Sequence, residues 1–168
     1  GDLFLKKGKE VYFNDYLKSN CYSYKAFYEP VKVDIKKIEN IINKYNAMHI
    51  DGENYFSQNF SDTYFSSNDC RKIGYIRDDI DKKYDEGKIN EREKSVLITS
   101  LIYSMDRVAN TVGHYDAYRK IENIQDKFFM YMIDINKNGE TKSHISNEDA
   151  NEFIKEVKAD LVYIDPPY

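Results

Sequence analysis

A short apolar run at residues 161–164, followed closely by two prolines, is the strongest indication of the fold in this sequence. Residues 161–164 are continuously apolar, which is typical of a parallel strand covered on both faces. Pro166 and Pro167 lack backbone donors, so the predicted strand must end at Asp165. Ligands bind at the carboxyl ends of strands in open α/β sheets. The sequence therefore predicts an α/β fold in which Asp165 and Tyr168 occupy a functional location.

The beginning of the chain predicts a short helix and then a strand. Residues 1–7 have the pattern of a helix that closes at Gly8. Residues 10–15 predict a short buried strand that ends in polar side chains. From Asp34, a plausible N-cap, apolar residues recur at helical spacing. A helix is therefore expected to follow the strand.

The middle of the chain is predicted to be helical, with one loop. Residues 46–68 are polar and aromatic without periodicity, which predicts a loop. A helix is expected to begin at Asp69 as its cap and to end at Gly87. The strongest helical pattern starts near Asn90 and continues until residues 110–113 break it.

The last third of the chain predicts a hairpin, a helix and the terminal strand. Residues 128–135 are β-prone, and the Asn138-Gly139 dipeptide favours a tight turn before a second strand at 141–145. Ser146 is expected to cap a helix whose apolar residues form its buried face. Those residues are Ala150, Phe153, Ile154 and Val157.

Composition limits the class of protein. The 168 residues are 41% hydrophobic and 15% aromatic, enough for one domain with a real core, and no apolar run approaches the roughly 20 residues of a membrane span.

Cys21 and Cys70 are neither close-spaced nor beside a histidine pair, so we expect reduced thiols in a cytoplasmic protein without membrane partners. A formal charge of -4 does not by itself suggest nucleic acid, although residues 1–45 are locally basic.

The segment Asp165-Pro166-Pro167-Tyr168 after an apolar strand resembles the signature of amino-group DNA methyltransferases, and its aspartate form is typical of those acting on N6 of adenine. The block at 105–118 is similar to the type II restriction-modification subgroup, in which a helical recognition region lies between cofactor and catalytic motifs. The resemblance implies S-adenosylmethionine as cofactor and double-stranded DNA as partner. A cognate restriction endonuclease is a further implied partner.

The resemblance also implies a fold and a division of the chain. The fold class is α/β, an incomplete Rossmann-like methyltransferase lobe with a mainly helical insertion. Residues 1–33 and 143–168 would be parts of the cofactor-binding catalytic lobe, and residues 34–142 the target-recognition insertion. The Phe-x-Gly-x-Gly turn of the first cofactor motif is absent, so we expect a piece of a longer enzyme.

Four residues are implied to bind the cofactor. Asn14 and Asp15 end the segment that resembles the family's second strand, whose terminal acid binds the ribose hydroxyls. Asp149 and Ala150 match the motif in which an acid meets the adenine amino group. Asp149 also lies three residues after Ser146, so a purely structural capping box is an equal alternative for it.

The catalytic motif implies direct methyl transfer to a flipped base. Hydrogen bonds from N6 to the Asp165 side chain and the Pro166 carbonyl would stabilise the positive charge that grows on nitrogen. Pro167 completes the stiff turn, and Tyr168 would stack on the base. No metal is needed. The chain lacks a Pro-Cys pair, which disfavours the covalent route of cytosine ring-carbon methyltransferases.

Polar, aromatic and basic residues after the strongest helix are candidates for contacts to DNA bases and phosphates, although a solvated loop is an equal alternative. They are Asn110, Thr111, His114, Tyr115, Tyr118, Arg119 and Lys120.

Two other functions compete with a DNA methyltransferase. A noncatalytic DNA-binding fragment of such a protein is favoured by the missing glycine motif. An enzyme that methylates an RNA base or a protein amide keeps the chemistry, but the aspartate at position 165 disfavours it because protein-amide enzymes usually carry asparagine there.

Overall fold

The computed structural model describes residues 1–135 and 142–165, which are mostly helical with a small parallel sheet. The helices are α1 (Asp2–Lys6), α2 (Lys18–Tyr28), α3 (Ile35–Ala47), α4 (Tyr55–Phe60), α5 (Ser67–Asp85), α6 (Glu91–Asp106) and α7 (Ala150–Glu156). The strands are β1 (Val11–Asn14) and β2 (Ser143–Ser146).

The two strands are distant in sequence and adjacent in space. They pair in parallel, with Val11 opposite Ser143 and Asn14 opposite Ser146. Parallel strands need a long crossover connection, and helices α2–α6 lie within it. The carboxyl ends of β1 and β2 therefore meet at the same edge. The predicted first strand is present, but it is not buried as expected, because Tyr12 is exposed and the other three residues are half-buried. The preceding helix closes at Gly8 as predicted, and the Gly8 φ of 71° is in the left-handed region.

The structure confirms some of the predicted helix boundaries and shows that two predicted N-caps are wrong. Asp34 is the N-cap of α3, as predicted, and α6 starts near Asn90 as expected, with Asn90 as its N-cap. Each of these side chains accepts a bond from a backbone N–H in the first turn. The predicted cap Asp69 is wrong, because the cap of α5 is Ser66 and Asp69 is already helical. The predicted cap Ser146 is also wrong, because it ends β2 and Asp149 caps α7.

The sequence did not predict two of the helices. Helix α2 follows β1 directly and packs against α6, burying Cys21 and Ala26. Helix α4 lies inside the segment predicted to be a loop, and a capping box between Asn54 and Ser57 starts it. Gly74 of α5 makes room for that cap, since a Cβ there would meet the Asn54 amide at 2.1 Å.

Most of the buried apolar residues lie on α3, α5 and α6. The side chains below 2% exposure include Tyr45 of α3, Ile73, Ile76 and Ile80 of α5, and Val96 and Leu97 of α6. Ala26 of α2 and Val33 belong to the same cluster. The expected buried face of α7 is wrong, because Ala150 and Ile154 are exposed and Phe153 and Val157 are only half-buried.

The predicted strand at 128–135 is wrong. Those residues form no strand, and side chains of the helices bind their backbone instead. Asp69 accepts bonds from the N–H groups of Lys127 and Phe128, and Asn46 exchanges two bonds with the backbone of Met130. The proposed hairpin turn at Asn138-Gly139 lies outside the described residues. The strand after it is real but pairs with β1.

The apolar run at 161–164 is not a strand within the described residues. Its side chains are exposed, Ile164 to 79% and Leu161 to 69%, and neither of the two described strands binds its backbone. The prediction of a covered strand is therefore not met here, because a parallel strand needs partners on the sheet to bury it. In outline the described chain is a helix-rich α/β structure. None of its described helices has the length and apolar character that crossing a membrane requires.

Candidate functional site

Asp15 lies at the carboxyl end of β1 with its carboxylate held by the turn that follows. Oδ1 accepts from the Leu17 N–H at 2.8 Å, and Oδ2 accepts from the Asn20 amide at 2.7 Å. This local turn is typical of aspartate, and it leads directly into α2. Each oxygen accepts one of these bonds, and a carboxylate oxygen can accept about two. Asp15 is half-buried and keeps capacity for a ligand's hydroxyl groups.

Asn14 connects the ends of the two strands. Its Oδ1 accepts from the Glu148 N–H at 3.0 Å, and its Nδ2 donates to the Glu148 carbonyl at 3.1 Å. The side chain therefore binds backbone 134 residues away in sequence. Asn147, just before Glu148, donates its amide to the carbonyls of Asp15 and Tyr16.

Asp149 and Ala150 lie shortly after the end of β2, at the start of α7. Asp149 is the N-cap, and its Oδ1 accepts from both the backbone and the side-chain amide of Asn151. Its Oδ2 makes no hydrogen bond to any described residue. The side chain is exposed, as is Ala150. The cap is real, but the expected capping box with Ser146 is not, because the Ser146 hydroxyl binds Glu148 instead.

Asp165 is the one member of the predicted catalytic motif that the structure describes. Pro166, Pro167 and Tyr168 lie outside the described residues. Asp165 is exposed. Burial raises the pKa of Tyr24 of α2, and the negative charges of Asp15 and Asp165 raise it further. The Tyr24 ring stacks on Phe13 of β1 at a centroid distance of 5.0 Å. The charges of Asp15 and Asp165 therefore both act on the same tyrosine.

A cleft of about 260 Å³ adjoins the junction of the strand ends. Ser146 and Asn147 form one side, Cys21 and Lys25 of α2 another, and Glu91 and Lys94 of α6 a third. Two of its cations already have acidic partners, since Lys25 pairs with Glu91 and Lys94 pairs with Asp81 at 2.7 Å. The cleft therefore carries little net positive charge.

The residues predicted to contact DNA form a folded loop, which we call the tyrosine loop (residues 110–120). An isolated antiparallel bridge between Thr111 and Tyr118 closes it. The Asn110 amide donates to the carbonyls of Thr63 and Arg119 at 2.8 Å each. Thr111 Oγ1 accepts from the Gly113 N–H. Asn110 and Thr111 thus bind the loop's own backbone and that of the neighbouring segment.

Two tyrosines of the loop pack on Tyr64, a residue that the sequence did not single out. The Tyr64 ring lies 5.6 Å from Tyr115 and 5.5 Å from Tyr118, and its hydroxyl donates to the Tyr115 carbonyl. The Tyr115 hydroxyl donates to Asp106, the last residue of α6, at 2.7 Å. Burial and that hydrogen bond raise the pKa of Tyr115. Both loop tyrosines remain more than 40% exposed.

The remaining loop candidates point away from the protein core. His114, Arg119 and Lys120 are exposed, and His114 lies 3.6 Å from the carboxylate of Asp116. The loop thus combines exposed cations with ordered aromatic rings. This combination suits nucleic acid, because cations bind phosphates and aromatic rings contact bases and sugars.

The described residues contain no cluster of three or more histidine, cysteine or acidic side chains that could hold a metal ion. Cys21 and Cys70 are both buried free thiols, and burial raises the pKa of each.

Comparison with known proteins identifies the family. The model of the D12 class N6 adenine-specific DNA methyltransferases matches residues 2–168. The chain belongs to this family. The chain is also similar to the modification methylase StsI of Streptococcus sanguinis, to which it is 33% identical over 106 residues, covering 62% of this chain and 16% of StsI.

Two further relatives are similar. Modification methylase LlaI of Lactococcus lactis subsp. lactis is 31% identical over 109 residues, covering 62% of this chain and 18% of LlaI. The type II methyltransferase M.FokI of Planomicrobium okeanokoites is 30% identical over 180 aligned positions, covering 97% of this chain and 28% of M.FokI. The chain thus spans less than a third of each of these methylases. No solved structure matches it.

Sequence reasoning missed the residues that hold the candidate site together. Tyr64 lies in the aromatic-rich segment 46–68, for which the sequence predicts a loop. Tyr24 belongs to α2, a helix without a clear apolar repeat. Asn147 lies two residues before the candidate Asp149, but nothing in the sequence indicated that its amide would bind the backbone after β1.

Proposed function

We propose that the protein containing this chain transfers a methyl group from S-adenosylmethionine to N6 of adenine in double-stranded DNA. The observation that carries the proposal is the placement of Asp15 and Asp149 just beyond the carboxyl ends of β1 and β2, in a chain of the D12 class family. The edge beyond the carboxyl ends of parallel strands is where open α/β sheets bind ligands.

The strands belong, in this proposal, to a Rossmann-like methyltransferase lobe. Residues 1–33 and 143–168 contribute to that cofactor-binding lobe, and residues 34–142 form the mainly helical recognition insertion. The parallel pairing of β1 with β2 across a long helical crossover supports this division.

The residues at the strand ends fit an adenosine group. Asp15 has unused acceptor capacity after its two turn bonds, which suits the pair of ribose hydroxyls. The Asp149 Oδ2 has no hydrogen bond within the described chain and suits an exocyclic amino donor. Asn14 and Ala150 are, in this proposal, further contacts of the cofactor, since each is the chain neighbour of one of these carboxylates. When bound, S-adenosylmethionine supplies an electrophilic methyl group on its sulfonium.

Asp165 acts on the target base. The N6 lone pair of adenine is delocalised into the ring, so the site must stabilise the positive charge that grows on nitrogen. The Asp165 carboxylate accepts a hydrogen bond from N6 and stabilises that charge, with the Pro166 carbonyl as a second acceptor. Tyr168 stacks on the base, which must first be flipped out of the duplex because its N6 is inaccessible inside the helix.

The tyrosine loop contacts the DNA. Arg119 and Lys120 are exposed beside the bridge that closes the loop, where they bind phosphates, and His114 lies at its tip. The ordered rings of Tyr115 and Tyr118 present aromatic faces to the bases or sugars, while Asn110 and Thr111 hold the loop in shape. We place the enzyme in the cytoplasm, where a cognate restriction endonuclease would share its recognition site.

Methyl transfer with a matched variant tests the proposed function. The full-length protein is incubated with labelled S-adenosylmethionine and mixed-sequence duplex DNA beside its Asp165→Ala variant and the exposed control Asp160→Ala. We expect label on adenine N6, a fall in kcat of about 100- to 1,000-fold for Asp165→Ala, and no change for the control. If the full-length protein binds DNA but transfers no label to any duplex, it is a noncatalytic DNA-binding protein.

A further inference from the structure

The turns that follow β1 and β2 are joined by side chains rather than by the sheet. The last ladder contact, from the Asp15 N–H to the Ser146 carbonyl, is 3.5 Å long, at the outer limit of a hydrogen bond. Beyond it, Asn14, Cys21 and Asn147 bind backbone across the gap, and we call these three side chains the clamp. The clamp lies between Asp15 and Asp149.

Asn147 makes the shortest bonds of the clamp. Its Nδ2 lies 2.7 Å from the Asp15 carbonyl and 2.9 Å from the Tyr16 carbonyl. One amide group therefore fixes the backbone of Asp15 itself and of the next residue. Because Asn147 is also two residues before Asp149, it links the backbone of Asp15 to the start of α7.

Asn14 and Cys21, the other two side chains of the clamp, also connect the segments that follow β1 and β2. Asn14 exchanges two bonds with the backbone of Glu148, the residue before Asp149. Cys21 is 5% exposed, and its Sγ lies 3.2 Å from the Asp15 carbonyl and 3.3 Å from the Ser146 carbonyl. Burial raises the pKa of Cys21, so its thiol keeps the proton that it donates at neutral pH.

We infer that Asn147 is a positioning residue for the cofactor: its amide sets the separation of Asp15 and Asp149, with Asn14 and Cys21 as supports. The inference rests on the proposed function, since it assumes that these two carboxylates bind S-adenosylmethionine. Asn147 touches backbone and needs no contact with the cofactor. The amide must be a hydrogen-bond donor, because both of its partners are carbonyl oxygens.

Because the side chain at position 147 must donate hydrogen bonds, a pair of variants can distinguish positioning from a merely structural role. Asn147→Ala removes the donor at every pH. Asn147→Asp keeps the size but places a carboxylate against two carbonyl oxygens, where the neutral acid is favoured because it can donate its proton. Lowering the pH therefore restores a donor in the aspartate variant and not in the alanine variant.

The measurement is the Kd for S-adenosylmethionine by titration calorimetry of the full-length protein at pH 8 and pH 5.5. Asn147→Ala is expected to weaken binding about tenfold at both values, the scale of one or two lost hydrogen bonds. Asn147→Asp is expected to bind at least as weakly at pH 8 and to regain most of the affinity at pH 5.5. Asn59→Ala, which removes a comparable amide-to-carbonyl bond on α4, is the control and should leave the Kd unchanged.

Steady-state kinetics and melting curves separate positioning from misfolding. We expect the variants to raise KM for S-adenosylmethionine while kcat, KM for DNA and the melting temperature stay close to those of the wild type. An unchanged Kd in Asn147→Ala, or the same pH dependence in both variants, would overturn the inference while leaving the proposed function intact. A wild-type protein that binds no S-adenosylmethionine would overturn both.

Discussion

Arg92 is the largest fully buried side chain of the described residues, and its position explains how α2 is held. Its guanidinium donates to the carbonyls of Ala26 and Phe27 in the last turn of α2 and to that of Val31 beyond it. The last carbonyls of a helix have no partner inside the helix. Arg92 supplies these bonds from α6 and so fixes the end of the helix whose start supports Asp15.

Replacing this guanidinium should be costly. We expect Arg92→Met to lower the free energy of unfolding by about 2–4 kcal/mol, because several buried carbonyls lose their donor while most of the volume stays filled. Arg77→Met is the matched control: its partly exposed i,i+4 pair with Asp81 should contribute less than about 0.5 kcal/mol. Urea unfolding of both variants measures the difference. Equal losses in the two would contradict the role assigned to Arg92.

At the scale of elements, the sequence predicts what local patterns determine and misses what distant side chains determine. The cap Asp34, the start of α6 near Asn90 and the strand β1 could be predicted because their signals lie within a few residues. The strand at 128–135 could not be excluded from its sequence, since β-prone residues also suit an extended segment. Asp69 and Asn46, more than 50 residues earlier, bind the backbone there and replace a neighbouring strand.

The same distinction applies to the candidate site. Asp15 and Asp149 could be proposed from the sequence because each lies in a short segment that resembles a cofactor motif of the family. Asn147 could not be assigned a role, because its partners are backbone atoms more than 130 residues away. The run at 161–164 shows the opposite error: its apolar pattern is clear, but burial depends on neighbouring strands that the described residues do not provide.

The contact between Asp126, which precedes the segment 128–135, and the start of α5 should depend on pH. The Ser66 hydroxyl and the Asn68 amide donate to its carboxylate at 2.6 and 3.0 Å, and these bonds lower the pKa of Asp126 from its ordinary value of 3.8. A group with a lowered pKa in the folded state stabilises the fold above the unfolded pKa. That contribution is lost as the pH falls through the folded value.

We therefore expect the melting temperature of the wild type to exceed that of Asp126→Asn by a constant amount from pH 6 to about pH 4. Below that, the difference should shrink toward zero as the wild-type carboxylate is protonated. Thermal melts from pH 3 to 6 measure it, with the exposed Asp160→Asn as the control. A difference between the wild type and Asp126→Asn that is the same at pH 3 and pH 6 would show that the charge of Asp126 is irrelevant.

At the scale of the whole molecule, α6 separates the two candidate regions. Its first turn lines the cleft beside Ser146 and Asn147, whereas its last residue, Asp106, holds Tyr115 of the tyrosine loop. A helix of 16 residues is about 24 Å long, since each residue adds about 1.5 Å. The strand ends and the loop are thus joined by one rigid element, and a defect in either region should leave the other intact.

Because the two regions are separate, variants in the tyrosine loop should affect DNA binding alone, and variants at the strand ends should affect S-adenosylmethionine binding alone. In the full-length protein, Arg119→Ala with Lys120→Ala should weaken DNA binding and reduce the slope of log Kd against log salt by about 2, close to one for each lost phosphate contact. The Kd for S-adenosylmethionine should not change. Asp15→Ala should weaken S-adenosylmethionine binding and leave the salt slope unchanged.

DNA titrations at several salt concentrations, paired with calorimetry for S-adenosylmethionine, measure both quantities in the same preparations. The matched control replaces Lys36 and Lys82, two exposed lysines of α3 and α5, with alanine. If the control lowers the salt slope as much as the loop variant does, the contact is general attraction to a basic surface. A selective effect of Arg119 and Lys120, with S-adenosylmethionine binding preserved, places the phosphate contacts on the loop, because only residues that displace counterions from DNA change the slope.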